Sequence, residues 1–393
     1  MNKRSVRDLD VSGKRALVRV DFNVPIKNGE VTDDTRIRRA LPTIKYLLEQ
    51  GAQPILISHL GRPKGERDLK YAMDPVAEKL GGLLGVHVEK IDTAAGPEAE
   101  EALDNWNGDG VALLENSRFY AGETGNDPDF AEQLCYLADL YVNDAFGAAH
   151  RAHATTVGVA ELLPSAAGLL MEEELDNLDK VLREPERPFV AILGGAKVSD
   201  KIGVIQSLLG VADTILIGGA MCFTFFKAQG YEVGKSLVED NYLEEAKRLM
   251  EEAGDKLVLP VDVVVAPEMD EYAETRVVRI EDIPDGTMGL DIGPETVEKF
   301  RGYIRDASTI FWNGPMGVFE IDAFAKGTEG VARAVAESEA ISIVGGGDSV
   351  AAVRKLGLES KMGFISTGGG ASLEYVEGKE LPGVAVLPNK EDA

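Results

Sequence analysis

The chain has 393 residues, and 44 % of them are hydrophobic, which excludes a disordered chain and, at about 150 residues per domain, points to two or three domains. Its 41 Lys and Arg stand against 67 Asp and Glu, and a net charge of −26 argues against a nucleic-acid coat or a membrane-surface protein. The charge is uneven: residues 1–70 hold 15 basic and 9 acidic groups, or +6, so the remainder carries −32.

The predicted strands fall in two series. Residues 16–22 (ALVRVDF), 54–60 (PILISHL), 110–116 (GVALLEN) and 140–146 (LYVNDAF) form the first. After a stretch with no predicted strand, 189–195, 214–219, 256–266, 309–315, 340–347 and 363–370 form the second. Amphipathic stretches such as 35–51 and 129–140 lie between them as predicted helices. This is βαβ alternation. It predicts two α/β domains, Rossmann-like and three-layered, each with a mainly parallel sheet covered by helices on both faces. The acidic helical run within 165–185 is expected to connect them, with its flanks as a hinge. Many strands end in Gly, Asp or Asn, and in open parallel sheets ligands collect at the carboxyl ends of the strands.

No Cys or His spacing suits a metal, and Cys135 and Cys222 read as small buried hydrophobes of a reducing compartment. MNKRSVRDLD has no apolar core, and no run of about 18 apolar residues occurs. The expectation is a soluble, cytoplasmic protein that engages neither membrane nor nucleic acid.

Two familiar nucleotide signatures fail. Gly230–Ser236 (GYEVGKS) has three residues between its glycines where a P-loop has four, and GxGxxG is absent, which speaks against a dinucleotide-dependent dehydrogenase. Glycine turns nevertheless follow four predicted strands, in GGAKVSDK (194–201), GGAM (218–221), GGGDS (345–349) and TGGGAS (367–372). A Gly turn opening a helix brings unpaired N–H groups and a positive dipole end to a phosphate. Four on one edge predict a polyphosphate site in the second domain. Lys197 and Lys201, four apart and expected on one face at a helix start, suit an anion there, and Asp348 suits Mg²⁺ shared with phosphate oxygens. In the first domain Asp21, Asn23, Arg36, His59, Arg62, Arg118 and the AHRAH run of His150, Arg151 and His153 lie at successive strand ends or the following helix start. Converging Arg and His suit a small anion bearing a phosphate and a carboxylate, and account for the +6.

Taken together, VRVDFNVP, SHLGRP, FGAAHRAHATT, LGGAKVSDKI, FWNGPMGVFE, VGGGDS and STGGGASLEY resemble phosphoglycerate kinase, in order, from Val18 to about Pro388. Ser117 departs from the family's usual Leu. The resemblance implies reversible, in-line phosphoryl transfer from 1,3-bisphosphoglycerate to MgADP, giving 3-phosphoglycerate and MgATP, in a monomer that closes about a hinge. It implies a glycerate-binding domain over 1–168, an interdomain helix over 169–186, a Mg-nucleotide domain over 187–377, and a tail from about 378 returning to the first domain. Carried over residue by residue, Asp21, Asn23, Arg36, His59, Arg62, Arg118 and Arg151 bind the glycerate. Lys197, Lys201, Gly219, Asn313, Glu320, Gly346, Gly347, Asp348 and Ser349 bind the nucleotide, with Asp348 on the metal. Arg36, Lys197, Gly347 and Gly370 serve the transfer itself.

Overall fold

In the computed structural model, which describes residues 2–392, the apolar runs that lead into Gly, Asp or Asn turns build two six-stranded sheets. The first has the order Val88–Lys90, Val111–Leu113, Gln53–Ile57, Arg15–Arg19, Leu140–Asn143, Ser165–Ala167, with every pair parallel. The second has the order Leu257–Val258, Thr214–Ile217, Phe189–Leu193, Thr309–Asn313, Ile341–Gly345, Phe364–Ile365, again parallel throughout. All five residues of Phe189–Leu193 and of Thr309–Asn313 are buried, as strands covered on both faces must be.

Counted along the chain, the second sheet runs third, second, first, fourth, fifth, sixth. That is the doubly wound order, and its direction reverses between Phe189–Leu193 and Thr309–Asn313. In such an order the helices after these two strands leave toward opposite faces, which opens a crevice at the carboxyl edge. In the first sheet the corresponding reversal separates Arg15–Arg19 from Leu140–Asn143.

The helices that cover the sheets follow the apolar periodicity. Thr35–Glu49 buries Ile37, Ala40, Ile44 and Leu47 along one stripe. Full burial of Ile37, Ile44 and Leu47 contributes roughly 2 kcal/mol each.

The chain packs as two compact units. One runs to Asp176 and takes in the tail from Glu380; the other is Asn177–Lys379. The helix Leu169–Leu182 belongs in part to each. The tail is tied to the first unit by Arg4 N–H to Pro388 O (2.8 Å), Asn143 Nδ2 to Gly383 O (3.0 Å) and Gly383 N–H to Ala149 O (2.8 Å).

Three sequence expectations need correction. Ser165–Ala167 is a strand, paired with Tyr141–Asn143, where none was expected before residue 189. The run 256–266 is two strands: Leu257–Val258 joins the parallel sheet, whereas Asp262–Ala266 lies between Arg276–Arg279 and Met288–Ile292 in a separate antiparallel sheet. Pro260, which has no N–H to donate, separates them. The 129–140 helix is shorter, ending at Cys135. Among the described residues no helix is long and apolar enough to cross a membrane.

Asp144 follows the Leu140–Asn143 strand and is fully buried. Its Oδ1 accepts the N–H groups of Leu170 (2.9 Å) and Met171 (3.3 Å), capping the Leu169–Leu182 helix. Burial raises its carboxyl to about 7, partly offset by Thr43, by the Met171 and Leu170 N–H groups and by Arg39. The native state thus holds a proton that the unfolded chain releases near pH 4. Stability from this group therefore falls as pH rises from about 4 to about 7, by up to about 1.4 kcal/mol per unit, and is flat above. Asp144→Asn is expected to flatten the pH dependence of the urea midpoint across that window. Parallel profiles for the two proteins would refute this.

Candidate functional site

The first sheet delivers the candidate side chains from four adjacent strand ends. Asp21 and Asn23 follow Arg15–Arg19, His59 and Arg62 follow Gln53–Ile57, Arg118 follows Val111–Leu113, and His150, Arg151 and His153 follow Leu140–Asn143. Arg36 comes from the first turn of Thr35–Glu49, where the helix dipole disfavours a cation. Asp21 offsets this: Arg36 Nη1 donates to both of its carboxylate oxygens (3.1 and 3.0 Å) and to Asn23 O (3.2 Å). Asn23 Oδ1 accepts the Gly61 N–H (2.9 Å), and Arg118 Nη1 donates to Gly61 O (2.8 Å), so the backbone of Gly61 links three of the strand ends.

Beneath this layer lies Arg19, a fully buried arginine inside the central strand. It donates to Thr155 Oγ1 (2.8 Å), to Val20 O and to His59 Nδ1 (3.0 Å). A guanidinium has no acceptor, so Nδ1 of His59 must accept. Burial, followed by the charges of Arg19, Arg118, Arg36 and Arg151, holds His59 well below its ordinary 6.5. The ring is therefore neutral at pH 7, with its proton on Nε2. Burial, followed by the charges of Arg118, Arg19 and Arg151, pushes His153 down to about 4. The counter-charge is Glu123, also fully buried, which accepts from Thr155 Oγ1 (2.6 Å), Thr155 N–H (3.0 Å) and Ser117 Oγ (3.3 Å). The family-departing Ser117 thus supplies a donor to this carboxylate that Leu lacks. Arg62, Arg118 and Arg151 have no ion-pair partner among the described residues. Three unpaired guanidiniums gathered at one edge make a strongly positive surface suited to an anion with several oxygens.

The second sheet presents mainly backbone. At its switch point a cavity of about 380 Å³ is lined by Lys197, Lys201, Asn313, Gly346, Gly347, Asp348, Ser349 and Gly370, among others. A neighbouring cavity of about 510 Å³ shares Gly195, Ala196, Pro315 and Asp348 with it and adds Gly219 and Glu320. All the residues expected to hold a nucleotide line one cavity or the other. Gly219 has φ +71°, and a Cβ there would lie 2.5 Å from Gly195 N, so the two glycine turns meet only because neither carries a side chain.

Lys201 caps the Ile202–Leu209 helix and donates to Asn313 Oδ1. Burial lowers it to about 8, against the opposing charges of Asp200, Glu377 and Asp348. Lys197 is exposed in the preceding turn. The expected shared helix face is therefore incorrect: the helix starts at Ile202, and the pair converges because the turn 194–201 wraps the cavity. Asp348 is exposed in the first turn of Gly347–Lys355. Ser349 beside it is fully buried, with its Oγ accepting the Gly314 N–H (2.6 Å), so its side chain ties the helix to the neighbouring strand end. Glu320 is exposed on the wall of the larger cavity.

Reading of the sequence left Arg19, Glu123 and Thr155 out of the site. Arg19 had a signal, a charge within an apolar strand; Glu123 and Thr155 had none. Cys222 lines the larger cavity, but burial pushes its thiol far up, and Cys135 is raised to about 11, so neither is a nucleophile.

Residues 6–379 match the phosphoglycerate kinase family. The phosphoglycerate kinase of Rubrobacter xylanophilus is 74 % identical over 392 residues, covering 100 % of both chains. That of Moorella thermoacetica is 58 % identical over 393 residues, covering 99 % of this chain and 100 % of the relative. Among solved structures, phosphoglycerate kinase from Coxiella burnetii superposes with a TM-score of 0.90 at 42 % identity, covering 98 % of each chain. The Pyrococcus horikoshii enzyme gives 0.85 at 34 % identity, also covering 98 % of each.

Nitrogen-15 NMR of the imidazoles is expected to find His59 as the neutral Nε2–H tautomer, with shifts that do not move between pH 6 and pH 8. A titration of His59 within that range would contradict the Arg19 geometry.

Proposed function

Because the chain belongs to the phosphoglycerate kinase family and performs that family's phosphoryl transfer in glycolysis, we propose that its two sheet edges divide the substrates. The basic cluster of the first unit holds 3-phosphoglycerate or 1,3-bisphosphoglycerate, and the joined cavities of the second hold the Mg-nucleotide. The observation that carries this reading is the doubly wound strand order, with Lys197, Lys201, Asn313 and Asp348 gathered in one cavity at its switch point.

In the first unit Arg62, Arg118 and Arg151 supply charge to the phosphate and carboxylate, and neutral His59 donates one hydrogen bond from Nε2. Asp21 and Asn23 orient Arg36 and the Gly61 turn. Among the described residues only Nη1 of Arg36 is engaged by the protein, which leaves Nη2 and Nε for the transferring group.

In the second unit Gly219 and its neighbours receive the base, Glu320 the ribose hydroxyls, and Lys201, Asn313 and the Gly346–Ser349 turn the phosphates. No group of three or more His, Cys, Asp or Glu among the described residues could cage a metal. A lone exposed carboxylate at a helix N-terminus suits Mg²⁺, which takes one or two carboxylates and otherwise phosphate oxygens and water. Asp348 is that carboxylate, and the ion, when bound, neutralises phosphate charge.

The accepting group in the ATP-consuming direction is a carboxylate, already ionised at pH 7, so no general base is required. Catalysis is positioning and charge stabilisation. Arg36 and Lys197 stabilise the equatorial oxygens of the transferring phosphoryl, helped by N–H groups at Gly347 and Gly370. In-line transfer brings both ligands together with water excluded, so turnover includes a closure, with Leu169–Leu182 and its flanks as the hinge.

Arg36→Ala is expected to lower kcat about 100-fold or more, with KM for both substrates changed only a few-fold. A change confined to KM would make Arg36 a binding residue. Asp348→Ala is expected to weaken MgADP binding about tenfold or more in calorimetry and to spare 3-phosphoglycerate. Unaltered MgADP affinity would remove Asp348 from the metal site.

A further inference from the structure

The GYEVGKS segment fails as a P-loop, and its lysine takes no part in the cavity that holds Lys197 and Lys201. Lys235 lines the larger cavity instead. Its placement is fixed by the backbone. Lys235 N–H donates to Thr287 O (2.7 Å), and Ser236 Oγ accepts the Gly289 N–H (2.9 Å). Gly234 has φ +57°, and a Cβ there would lie 2.4 Å from Thr287 O. The turn is thereby clamped to the start of the Met288–Ile292 strand, and Met288, Gly289 and Leu290 of that strand wall the same cavity.

The rest of the wall is largely apolar, with Phe223, Leu237, Met269, Leu290 and Met316 facing the space. Four charged side chains line it: Lys235, Asp291, Glu320 and Asp348. Asp291 is committed to the protein, accepting from Ile292 N–H (2.9 Å) and Gly327 N–H (2.7 Å). Asp348 is shared with the phosphate cavity. Lys235 is the one cation among the four. It is exposed and has neither a hydrogen-bond nor an ion-pair partner for its ammonium among the described residues.

We infer that Lys235 reads the edge of the purine base and sets the preference between 6-oxopurine and 6-aminopurine nucleotides. An apolar wall packs against the faces of any purine and distinguishes none. An ammonium offers three donors and no acceptor. Guanine and hypoxanthine present two adjacent acceptors, N7 and O6, whereas adenine pairs an N7 acceptor with an amino donor at position 6. A donor-only group beside that wall therefore favours the 6-oxo bases. This rests on the nucleotide occupying the larger cavity as proposed above.

The test compares kcat/KM for GDP and ADP in the wild-type chain, Lys235→Met and Lys235→Arg. Lys235→Met is expected to lower the GDP-to-ADP ratio about fivefold or more, toward the low end of what one base-edge contact discriminates, and Lys235→Arg to retain it. An unchanged ratio, an equal fall for both nucleotides, or no turnover of GDP by the wild-type chain overturns the inference. Met269→Trp, at an exposed wall position of the same cavity, separates the two levels. If its emission responds to MgADP while the ratio stays fixed, only the role of Lys235 fails. If it does not respond in an active enzyme, the nucleotide lies elsewhere and the reading of the cavity fails.

Discussion

Parallel strand pairing is the constraint from which the rest follows. A strand lies parallel to its neighbour only if the chain first crosses back over the sheet, which takes a dozen residues or more and usually a helix. The crossings cover both faces, so the central strands are apolar on both sides. They also make every strand leave by the same edge. Chemistry is then confined to that edge, since the faces are occupied by packing. Both six-stranded sheets obey this, yet they furnish their edges differently. One supplies long cationic side chains, the other glycine turns and helix N-termini.

That difference resolves the apparent conflict between a chain of net charge −26 and two anionic substrates. Net charge describes the solvated exterior, whereas affinity for a phosphate depends on a few groups held where water is excluded. In the first unit burial, reinforced by the neighbouring arginines, holds His59 and His153 neutral. A fully buried Arg19 is tolerable because Thr155 and Glu123 stand behind it. With the nucleotide placed as proposed, the second unit needs fewer cations, because backbone N–H groups would carry part of the load and lose no side-chain entropy in doing so.

The legible parts of the sequence were those written in local pattern. Alternating strand and helix periods gave parallel α/β units, and glycine turns and Arg or His at strand ends marked the edges. Other features depend on contacts distant in sequence. Ser165–Ala167 has no branched residue and becomes a strand only because Tyr141–Asn143 and Ser5 flank it. The exposed Arg276–Arg279 strand is an edge of a small sheet whose partners precede and follow it. Lys197 and Lys201 line one cavity through a turn and not a shared helix face, since spacing says that two residues are near each other but not whether a helix or a turn makes them so. Lys235 sits in a segment whose glycine spacing excludes a P-loop, so its place on a cavity wall depends on the distant Thr287 and Gly289.

The tail on the first unit bears on how the molecule is made. Asn143, at the end of a central strand, spends its amide on Gly383, and Arg4 is bonded to Pro388. A ribosome adding about 5–20 residues per second needs roughly 10–40 s to pass through the second unit before it reaches those partners. The unit encoded first is therefore completed last. For that interval the nascent first unit lacks the partners of Arg4, Asn143 and Ala149, while the second unit is still being synthesised.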